Sequence, residues 1–394
     1  MMQLISVNNS INKAIVFFVL LFSLLSFEKE ITNDDLYSID PGIRSGNPTP
    51  INLSEIAESI SFIKLKTRDD VRISVMCGII AVTDSLIIMY DAESGILIFD
   101  LKTGNYLFRI EGYNEEGPLS YRPRVPMIGI NSGKILLAKL DKWGLWDFKT
   151  GEMLNPQMPI SSILSQQVFF INDSLFFQCI RNTRQGITSK VNLLSATDGR
   201  IVKDYGLMGK IDQVDGNNSS LVSGRFYCYE FDKYIMCYSA IHDTIYGLNK
   251  TTLELEPRFI TNFGNRIDLG LYESIGIEVL SNFRESSRYL FFTIKNGSKD
   301  DPEYYLYYDK KERKTFYFNS QLFEDKSKET GIIDDLTSHN IRFYPAWAYI
   351  TPDDKAYSVF RNPNSIASTN NESTSEMGIT DDDNLIIMEV QLKK

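Results

Sequence analysis

One short turn sequence recurs along this chain at nearly constant spacing, and it limits the folds that the chain can adopt. Asp100-Leu-Lys-Thr-Gly104 is repeated as Asp147-Phe-Lys-Thr-Gly151, and Thr197-Asp-Gly199 closes a third unit in the same style. The three glycines lie 47 and 48 residues apart, and looser copies occupy 246–252 and 308–314. Each turn lies among runs of β-branched and aromatic residues, which are typical of strands. A period of about 50 residues with about four short strands per unit predicts a β-propeller, since each blade buries its faces only against its neighbours.

The number of units predicts a single all-β domain of six blades over residues 51–394, with five or seven blades as alternatives. The first five units begin near Met76, Pro126, Gln167, Arg225 and Arg288, and a sixth combines residues 344–360 with residues 385–392. We expect the alternating segment Ser61–Thr67 to close the last blade as an added strand. Residues 362–376, which are rich in Ser, Thr and Asn, predict a flexible excursion from that blade.

Composition places the chain among ordinary globular proteins. Its 394 residues are 43% apolar and 23% charged, which excludes a disordered chain and a small disulfide scaffold. The formal net charge is -10. Nucleic acid is therefore not expected as a partner, because a phosphate backbone would meet a repulsive field.

The N-terminus predicts export. Lys13 precedes the apolar run Ala14–Phe27, which is too short to span a bilayer comfortably and is typical of a secretory signal. Residues 1–27 are thus a signal peptide or an uncleaved signal anchor, and residues 28–50 are a polar tether. Phe27 stands where a bacterial lipoprotein has its lipid-bearing cysteine. We therefore expect a periplasmic or envelope-associated protein without lipid, and no spanning segment beyond the signal.

Several stretches resemble the six-bladed propeller proteins, TolB-like or NHL-like, that are abundant in Bacteroidetes. These stretches are Leu53–Thr67, Asp243-Thr-Ile-Tyr246, Pro257-Arg-Phe259, Phe263-Gly264 and the closing Asn384–Lys393. The family's glycine-rich loop after its first blade is matched only by Gly117, Pro118 and Tyr121. The resemblance implies an exported propeller, and its members are often lipoproteins without an assigned activity.

Catalytic signatures are scarce in this sequence. The chain has only two histidines, His242 and His339, which rules out a multi-histidine metal site. It contains no nucleophile elbow, phosphate-binding loop, dinucleotide fingerprint or zinc-spaced cysteine set. We expect no cofactor and no metal. The abundant carboxylates leave open a carbohydrate-active hydrolase or lyase that would use a carboxylate pair in the propeller channel.

The best binding candidates lie in the loop from Gly112 to Arg124, after the first blade. There, aromatic and basic side chains lie close to two acidic ones: Tyr113, Glu115, Glu116, Tyr121, Arg122 and Arg124. Aromatic faces beside paired polar groups suit a sugar or a peptide. A purely structural role for this loop is the alternative.

The sequence therefore favours an exported, non-enzymatic binding or interaction propeller whose partner is a glycan, a peptide or an envelope protein. The alternative is the carbohydrate-active enzyme. Acidic side chains that converge with a basic or aromatic group at the channel mouth would favour the enzyme. Neither the ligand nor the oligomeric state follows from the sequence.

Two cysteines are predicted to face each other across a hairpin. The strand-like runs Arg225–Phe231 and Tyr234–Ala240 are separated only by Asp232-Lys233. If these two residues form the loop, Cys228 lies opposite Cys237 at a non-hydrogen-bonded position, where a disulfide is possible. An exported protein meets an oxidising compartment. The alternative is two buried thiols, with Cys77 and Cys179 unpaired in either case.

Overall fold

The structure is a computed structural model that describes eighteen segments of the chain. They are residues 36–45, 47–68, 70–71, 73–74, 77–91, 93–110, 128–131, 133–139, 142–159, 165–182, 187–211, 226–239, 243–261, 279–295, 303–321, 331–339, 341–360 and 385–394. The chain forms two compact units, residues 1–37 and 38–394, and nearly all of the first lies outside these segments. The predicted signal and the predicted excursion 362–376 also lie outside them. Within the described segments, no helix is long and apolar enough to cross a membrane.

The first described elements precede the blades. They are strand β1 (Tyr37–Ile39), a 3₁₀ helix (Pro41–Ser45), helix α1 (Leu53–Ile56) and strand β2 (Ala57–Leu65). Strand β1 and the 3₁₀ helix fall within the segment that was expected to be a tether. Part of this segment is hydrogen-bonded to the later strand Lys314–Gln321, since the Asp40 amide donates to Thr315 Oγ1 (3.0 Å) and the Thr49 amide donates to the Tyr317 carbonyl (3.0 Å).

Five sheets have four strands each, and all neighbouring strands are antiparallel. One sheet comprises β3 (Cys77–Val82), β4 (Leu86–Asp91), β5 (Gly95–Asp100) and β6 (Tyr106–Ile110). The next comprises β7 (Ile128–Asn131), β8 (Lys134–Lys139), β9 (Lys142–Asp147) and β10 (Met153–Pro159). A third comprises β11 (Ser165–Asn172), β12 (Leu175–Asn182), β13 (Ile187–Ser195) and β14 (Ile201–Ile211).

A five-stranded sheet follows along the chain. It comprises β15 (Phe226–Phe231), β16 (Tyr234–Ser239), β17 (Thr244–Asn249) and β18 (Leu255–Thr261), with β1 added beside β18. The fourth four-stranded sheet comprises β19 (Val279–Glu285), β20 (Tyr289–Lys295), β21 (Glu303–Asp309) and β22 (Lys314–Gln321).

The remaining strands complete the fold. A two-stranded sheet pairs β23 (Ile332–Ile333) with β24 (Arg342–Phe343), and a 3₁₀ helix (Pro345–Trp347) follows it. The last four-stranded sheet has the order β2-β27-β26-β25, with β25 (Tyr349–Ile350), β26 (Lys355–Phe360) and β27 (Leu385–Leu392). The described residues thus form an all-β propeller, as the sequence repeat predicted, and its five four-stranded sheets are blades.

The recurring turn joins the third strand to the fourth in five successive sheets. Its last residue has a positive φ in every copy: Gly104 (69°), Gly151 (76°), Gly199 (71°), Leu253 (58°) and Arg313 (51°). In the first copy the Gly104 amide donates to the Asp100 carbonyl (2.9 Å), and Asp100 Oδ1 accepts from the Thr103 amide (2.7 Å). Glycine takes this left-handed conformation at no steric cost, which explains why the clearest copies of the repeat end in glycine.

Alternate residues of one strand pack on two different neighbouring sheets. On β4, Ile87 and Met89 contact the last sheet in a cluster with Leu385 and Ile387. Ile88, which lies between them, belongs to a second cluster with Ile135 and Trp146 of the β7–β10 sheet. All of β4 is therefore apolar or aromatic up to Asp91, as expected for a sheet that is covered on both faces.

The N-terminal and C-terminal strands of the domain pair with each other. Strand β2 is antiparallel to β27, with Ala57 opposite Leu392 and Leu65 opposite Leu385. The prediction that an N-terminal strand closes the last blade is confirmed, although the strand begins at Ala57 and ends at Leu65 instead of spanning Ser61–Thr67. Gly104 lies against this closing strand, because the Lys66 amide donates to its carbonyl (2.8 Å).

We expect Gly104→Ala to destabilise the domain by about 2–5 kcal/mol, the sum of left-handed strain and overpacking. A Cβ at this position would lie 2.0 Å from the Lys64 carbonyl oxygen, which is backbone and cannot move aside cheaply. The matched control is Gly133→Ala, where φ is also positive (+90°) but the nearest atom is the flexible Lys149 Cε at 3.7 Å. The control should lose only about 1–2 kcal/mol. Urea unfolding measures both, and equal losses would contradict the role of the Gly104 contact.

Candidate functional site

The predicted binding loop lies outside the described residues. Its six candidates, Tyr113, Glu115, Glu116, Tyr121, Arg122 and Arg124, all fall between residues 111 and 127. Their involvement in binding remains a prediction. The described residues instead bring together a different set of polar side chains, which lie on the first strands of three sheets.

These first strands lie at the inner edges of their sheets. Strand β19 contacts the first strands β15 and β25 of other sheets, β25 contacts β3, and β7 contacts β11. First strands that meet one another in this way line the centre of a propeller. We call Glu230 (on β15), Arg284 (on β19) and Tyr349 (on β25) the central cluster.

A β-bulge in β19 positions Arg284. The pairing of β19 with β20 jumps from Ser281 opposite Thr293 to Arg284 opposite Phe291. Within the bulge, Asn282 has a φ of 53°, a conformation that asparagine tolerates better than most residues. Its Nδ2 donates to Thr293 Oγ1 (3.1 Å), which fixes the bulge. Bulges of this kind re-aim the side chains that follow them, here that of Arg284.

Arg284 uses two of its five donors on backbone carbonyls. Its Nε donates to the Ala348 carbonyl (2.5 Å), and its Nη1 donates to the Phe283 carbonyl (2.7 Å). Among the described residues, no carboxylate pairs with it. Burial lowers the pKa of Arg284, and the nearby Tyr349 and Tyr229 phenols oppose this change. Since a guanidinium stays protonated in proteins, the cluster contains a partly buried cation with donors to spare.

Tyr349 and Glu230 complete the cluster. Burial is the main cause that raises the pKa of Tyr349 to about 12, the Glu230 charge raises it further, and the Arg284 charge lowers it. Tyr349 is therefore a neutral phenol at pH 7. Glu230 is paired with Lys250 Nζ at 2.9 Å. Tyr349 thus interacts with the charges of both Glu230 and Arg284, and a cation beside a neutral phenol favours recognition of a polar ligand with an anionic group.

A buried polar network beside this cluster contains an ion pair within the β19–β22 sheet and a hydrogen bond that joins β15 to β19. Lys310 Nζ lies 2.7 Å from Glu285 Oε1, and the side chains are only 7% and 2% exposed. The Tyr229 hydroxyl donates to Glu285 Oε2 (2.8 Å), and Lys310 also donates to the Ser286 carbonyl (2.6 Å). Burial, and then the Glu285 charge, raise the pKa of Tyr229 well above its usual range. The network satisfies every charge in it, so we interpret it as the frame of the site.

The hairpin prediction for Cys228 and Cys237 is confirmed in its register. Asp232-Lys233 form the loop, Phe231 lies opposite Tyr234, and Cys228 lies opposite Cys237. The disulfide considered for this pair is not formed in the structure, where both cysteines are thiols whose sulfurs lie 3.3 Å apart. Sequence reasoning missed the third member, Cys179 of the β11–β14 sheet, whose sulfur lies 2.7 Å from that of Cys228. No hairpin argument could find Cys179, because it belongs to a different sheet.

The comparisons identify a family. Residues 36–391 match the profile of a domain of unknown function, DUF4934. The chain belongs to the DUF4934 family. No curated protein matches the chain significantly.

One solved structure supports the fold of this DUF4934 chain. A protein described as exported, from Bacteroides fragilis NCTC 9343, has a TM-score of 0.59 at 17% identity, and the match covers 91% of this chain and 100% of that one. The extracellular domain of a one-component system from B. thetaiotaomicron is 9% identical at a TM-score of 0.34, covering 71% and 31%. PorZ, a surface component of the type IX secretion system of Porphyromonas gingivalis, is 16% identical at 0.34, covering 69% and 28%. The last two likenesses are too weak to carry an argument.

We expect Lys310→Met to lower the free energy of unfolding by about 3–5 kcal/mol, because it leaves Glu285 as an uncompensated buried charge. The matched control is Lys190→Met, which removes a lysine from an exposed pair with Asp204 (3.0 Å). An exposed pair contributes at most about 1 kcal/mol, so the control should stay close to wild type. Urea unfolding at pH 7 compares the two variants. Equal stabilities would mean that Lys310 does not compensate the buried charge of Glu285.

Proposed function

We propose that this protein is an exported, non-enzymatic binding propeller whose ligand has an anionic group that meets Arg284 in the central cluster. The observation that carries the proposal is the Arg284 guanidinium, held by two carbonyls and without a carboxylate partner among the described residues. A carboxylate or phosphate would accept its remaining donors, and Tyr349 supplies an aromatic face beside it. A uronic-acid glycan or an acidic peptide has the required chemistry.

Two ion pairs near Arg284 favour a binding function over the carbohydrate-active alternative. A two-carboxylate mechanism needs an acid and a base that face the substrate together. The two glutamates described on the inner strands β15 and β19 near Arg284 are each engaged by a lysine: Glu230 by Lys250 at 2.9 Å and Glu285 by Lys310 at 2.7 Å. Neither is a free carboxylate beside the cation. The predicted loop residues Tyr121 and Arg122 remain part of the proposed binding surface.

We also propose that the five-stranded sheet is a sixth blade. Strands β15 to β18 pair in the same order as those of the four-stranded blades, and β1 only extends their edge. The turn at Asn249 to Leu253 is the fourth copy of the repeat, with the Leu253 amide donating to the Asn249 carbonyl (2.8 Å). Six blades agree with the resemblance to TolB-like and NHL-like propellers.

Export to the periplasm or cell envelope is proposed from two observations. The run Ala14–Phe27 has the pattern of a secretory signal. The Bacteroides fragilis protein that shares the fold is described as exported. Since Phe27 replaces the lipid-bearing cysteine, the protein is proposed to remain without lipid.

We expect an anionic probe to stabilise the protein through Arg284. In a thermal-shift titration, oligogalacturonate or tetraglutamate should raise Tm, whereas neutral maltohexaose should not. At 100 times its dissociation constant a ligand adds about 2.7 kcal/mol of stability. Arg284→Gln should abolish the shift, and Arg284→Lys should retain part of it because charge remains without the bidentate fork.

The matched control for these variants is Arg200→Gln, which removes the same charge from an arginine whose side chain is 77% exposed. It should bind like wild type. A double replacement of Tyr121 and Arg122 by alanine should fold normally and bind more weakly. An unchanged shift in Arg284→Gln, no shift with either anionic probe, or an equal shift with maltohexaose would each overturn the proposed site.

We expect cell fractionation to recover the protein in the periplasm or envelope. Metabolic labelling with a palmitate analogue should leave it unlabelled, because Phe27 offers no thiol for acylation. A Phe27→Cys variant is the positive control for labelling. Recovery in the cytoplasm would contradict export, and labelling of the wild-type chain would contradict the absence of lipid.

A further inference from the structure

Three thiols from two neighbouring sheets meet in one apolar cluster. Cys179 lies on β12, Cys228 on β15 and Cys237 on β16, and their sulfurs all lie within 4.8 Å of one another. The Cys179 and Cys228 sulfurs are 2.7 Å apart, and those of Cys228 and Cys237 are 3.3 Å apart. Even carbon atoms, which are smaller than sulfur, pack at about 3.5–4.0 Å when they are not bonded. The closest sulfur pair therefore lies well inside ordinary packing distance.

The surroundings of the thiols are apolar. The buried members of the cluster, besides the three cysteines, are Phe177, Val191, Ile235 and Leu248. Burial raises the pKa of Cys179 and Cys228 well above the usual thiol range. Burial also opposes ionisation of Cys237, but hydrogen bonds from the other two thiols outweigh it and lower its pKa to about 6. A neutral product, such as a disulfide, is thus favoured for Cys179 and Cys228.

A metal ion fits this cluster poorly. Sulfurs around zinc at about 2.3 Å lie about 3.8 Å from one another in tetrahedral geometry. The separations here, 2.7 Å and 3.3 Å, are both shorter. Three thiolates would also place negative charge in a cluster whose other buried members are all apolar. Such burial of charge is costly unless it is compensated.

We propose that Cys179 and Cys228 form a disulfide that covalently joins two neighbouring sheets, while Cys237 remains a thiol beside it. The pair Cys179 and Cys228 has the shorter sulfur separation and links residues 49 positions apart. The competing pair, Cys228 and Cys237, lies directly across a non-hydrogen-bonded position. There the α-carbons are about 4.5 Å apart, at the lower limit of what a disulfide tolerates.

The bond forms by thiol–disulfide exchange with a disulfide-bearing oxidant. One cysteine thiolate attacks a sulfur of the oxidant's disulfide, breaks the S–S bond and forms a mixed disulfide, while the oxidant's other sulfur leaves as a thiolate. The second cysteine thiolate then attacks the protein sulfur and displaces the oxidant's remaining thiolate. The oxidant's disulfide thus accepts two electrons, and the two protons from the cysteines end on its sulfurs, which become thiols. Because the thiols are buried in the folded domain, this step precedes close packing of the two sheets. In the cell it rests on the proposed export, since the cytosol keeps thiols reduced.

Trypsin makes the test direct, because it separates all four cysteines. Cleavage after lysine and arginine yields peptides 73–102, 150–181, 226–233 and 234–250, which contain Cys77, Cys179, Cys228 and Cys237 respectively. The full chain is isolated from cells, alkylated while denatured and digested without reductant. We expect peptide 150–181 linked to 226–233, with Cys77 and Cys237 alkylated. Reduction should separate the linked pair and add two hydrogen atoms.

Variants and a refolded sample separate the possible outcomes. In the Cys179→Ser variant, Cys228 should form its disulfide with Cys237 instead. The Cys77→Ser variant should keep the Cys179–Cys228 link. The reduced chain is also refolded with oxidised glutathione. A Cys179–Cys228 link in the refolded sample but not in the cellular sample would support the proposed disulfide. It would contradict only the proposal that the protein is exported. A Cys228–Cys237 link in the wild type, complete alkylation of all four cysteines in both samples, or a bound metal in the native mass would overturn the proposal.

Discussion

The packing of each sheet on two neighbours is the constraint on which the rest of this structure depends. On β4 and β5, successive residues alternate between two apolar clusters, so that Leu97 and Phe99 pack on one neighbour and Ile98 packs on the other. A sheet with two apolar faces is unstable unless both are covered. No single blade can therefore fold without its neighbours, and the last sheet needs a strand from the start of the domain to finish its own outer edge.

Polar side chains in such a fold are tolerated only where an apolar face ends or where a hydrogen-bonding or charged partner is present. The inner strands provide both situations. Glu285 and Lys310 lie almost without solvent exposure, and they are tolerated because each satisfies the other at 2.7 Å. Arg284 is handled differently, through backbone carbonyls that a bulge brings within reach. The described part of the fold thus fixes the position of this charge but supplies no carboxylate to neutralise it. A residue that binds an anionic ligand needs both properties.

The architecture was readable from the sequence because its turns have strict requirements. The left-handed conformation at the end of each turn favours glycine. The spacing of Gly104, Gly151 and Gly199 therefore revealed the repeat length of the blades. The same conformation at Leu253 and Arg313 is adopted without glycine, so these two copies were only loosely recognisable. The facing pair Cys228 and Cys237 followed from the alternation within one hairpin. Pairing within this hairpin was therefore predictable to the residue.

Contacts between sheets were not predictable in this way. The approach of Cys179 to Cys228 depends on how two twisted sheets are stacked, which no sequence period encodes. Arg284 was missed for a different reason. The bulge at Asn282 interrupts the simple two-residue alternation by which a strand's inward side chains are assigned. The sequence drew attention to loop residues from 113 to 124, whereas the described cation lies on a strand.

The closing pair of strands also determines how the domain would respond to force. Ala57 and Leu392 lie side by side at one end of the sheet, and the Lys393 amide donates to the Ile56 carbonyl (2.9 Å) just beyond them. A load applied between the segments before Ala57 and after Leu392 would open the β2–β27 ladder one hydrogen bond at a time. It would not shear all of these bonds together. Loaded in this way, the ladder should open at a lower force than the same ladder loaded in shear, even though at rest it is an ordinary antiparallel pair.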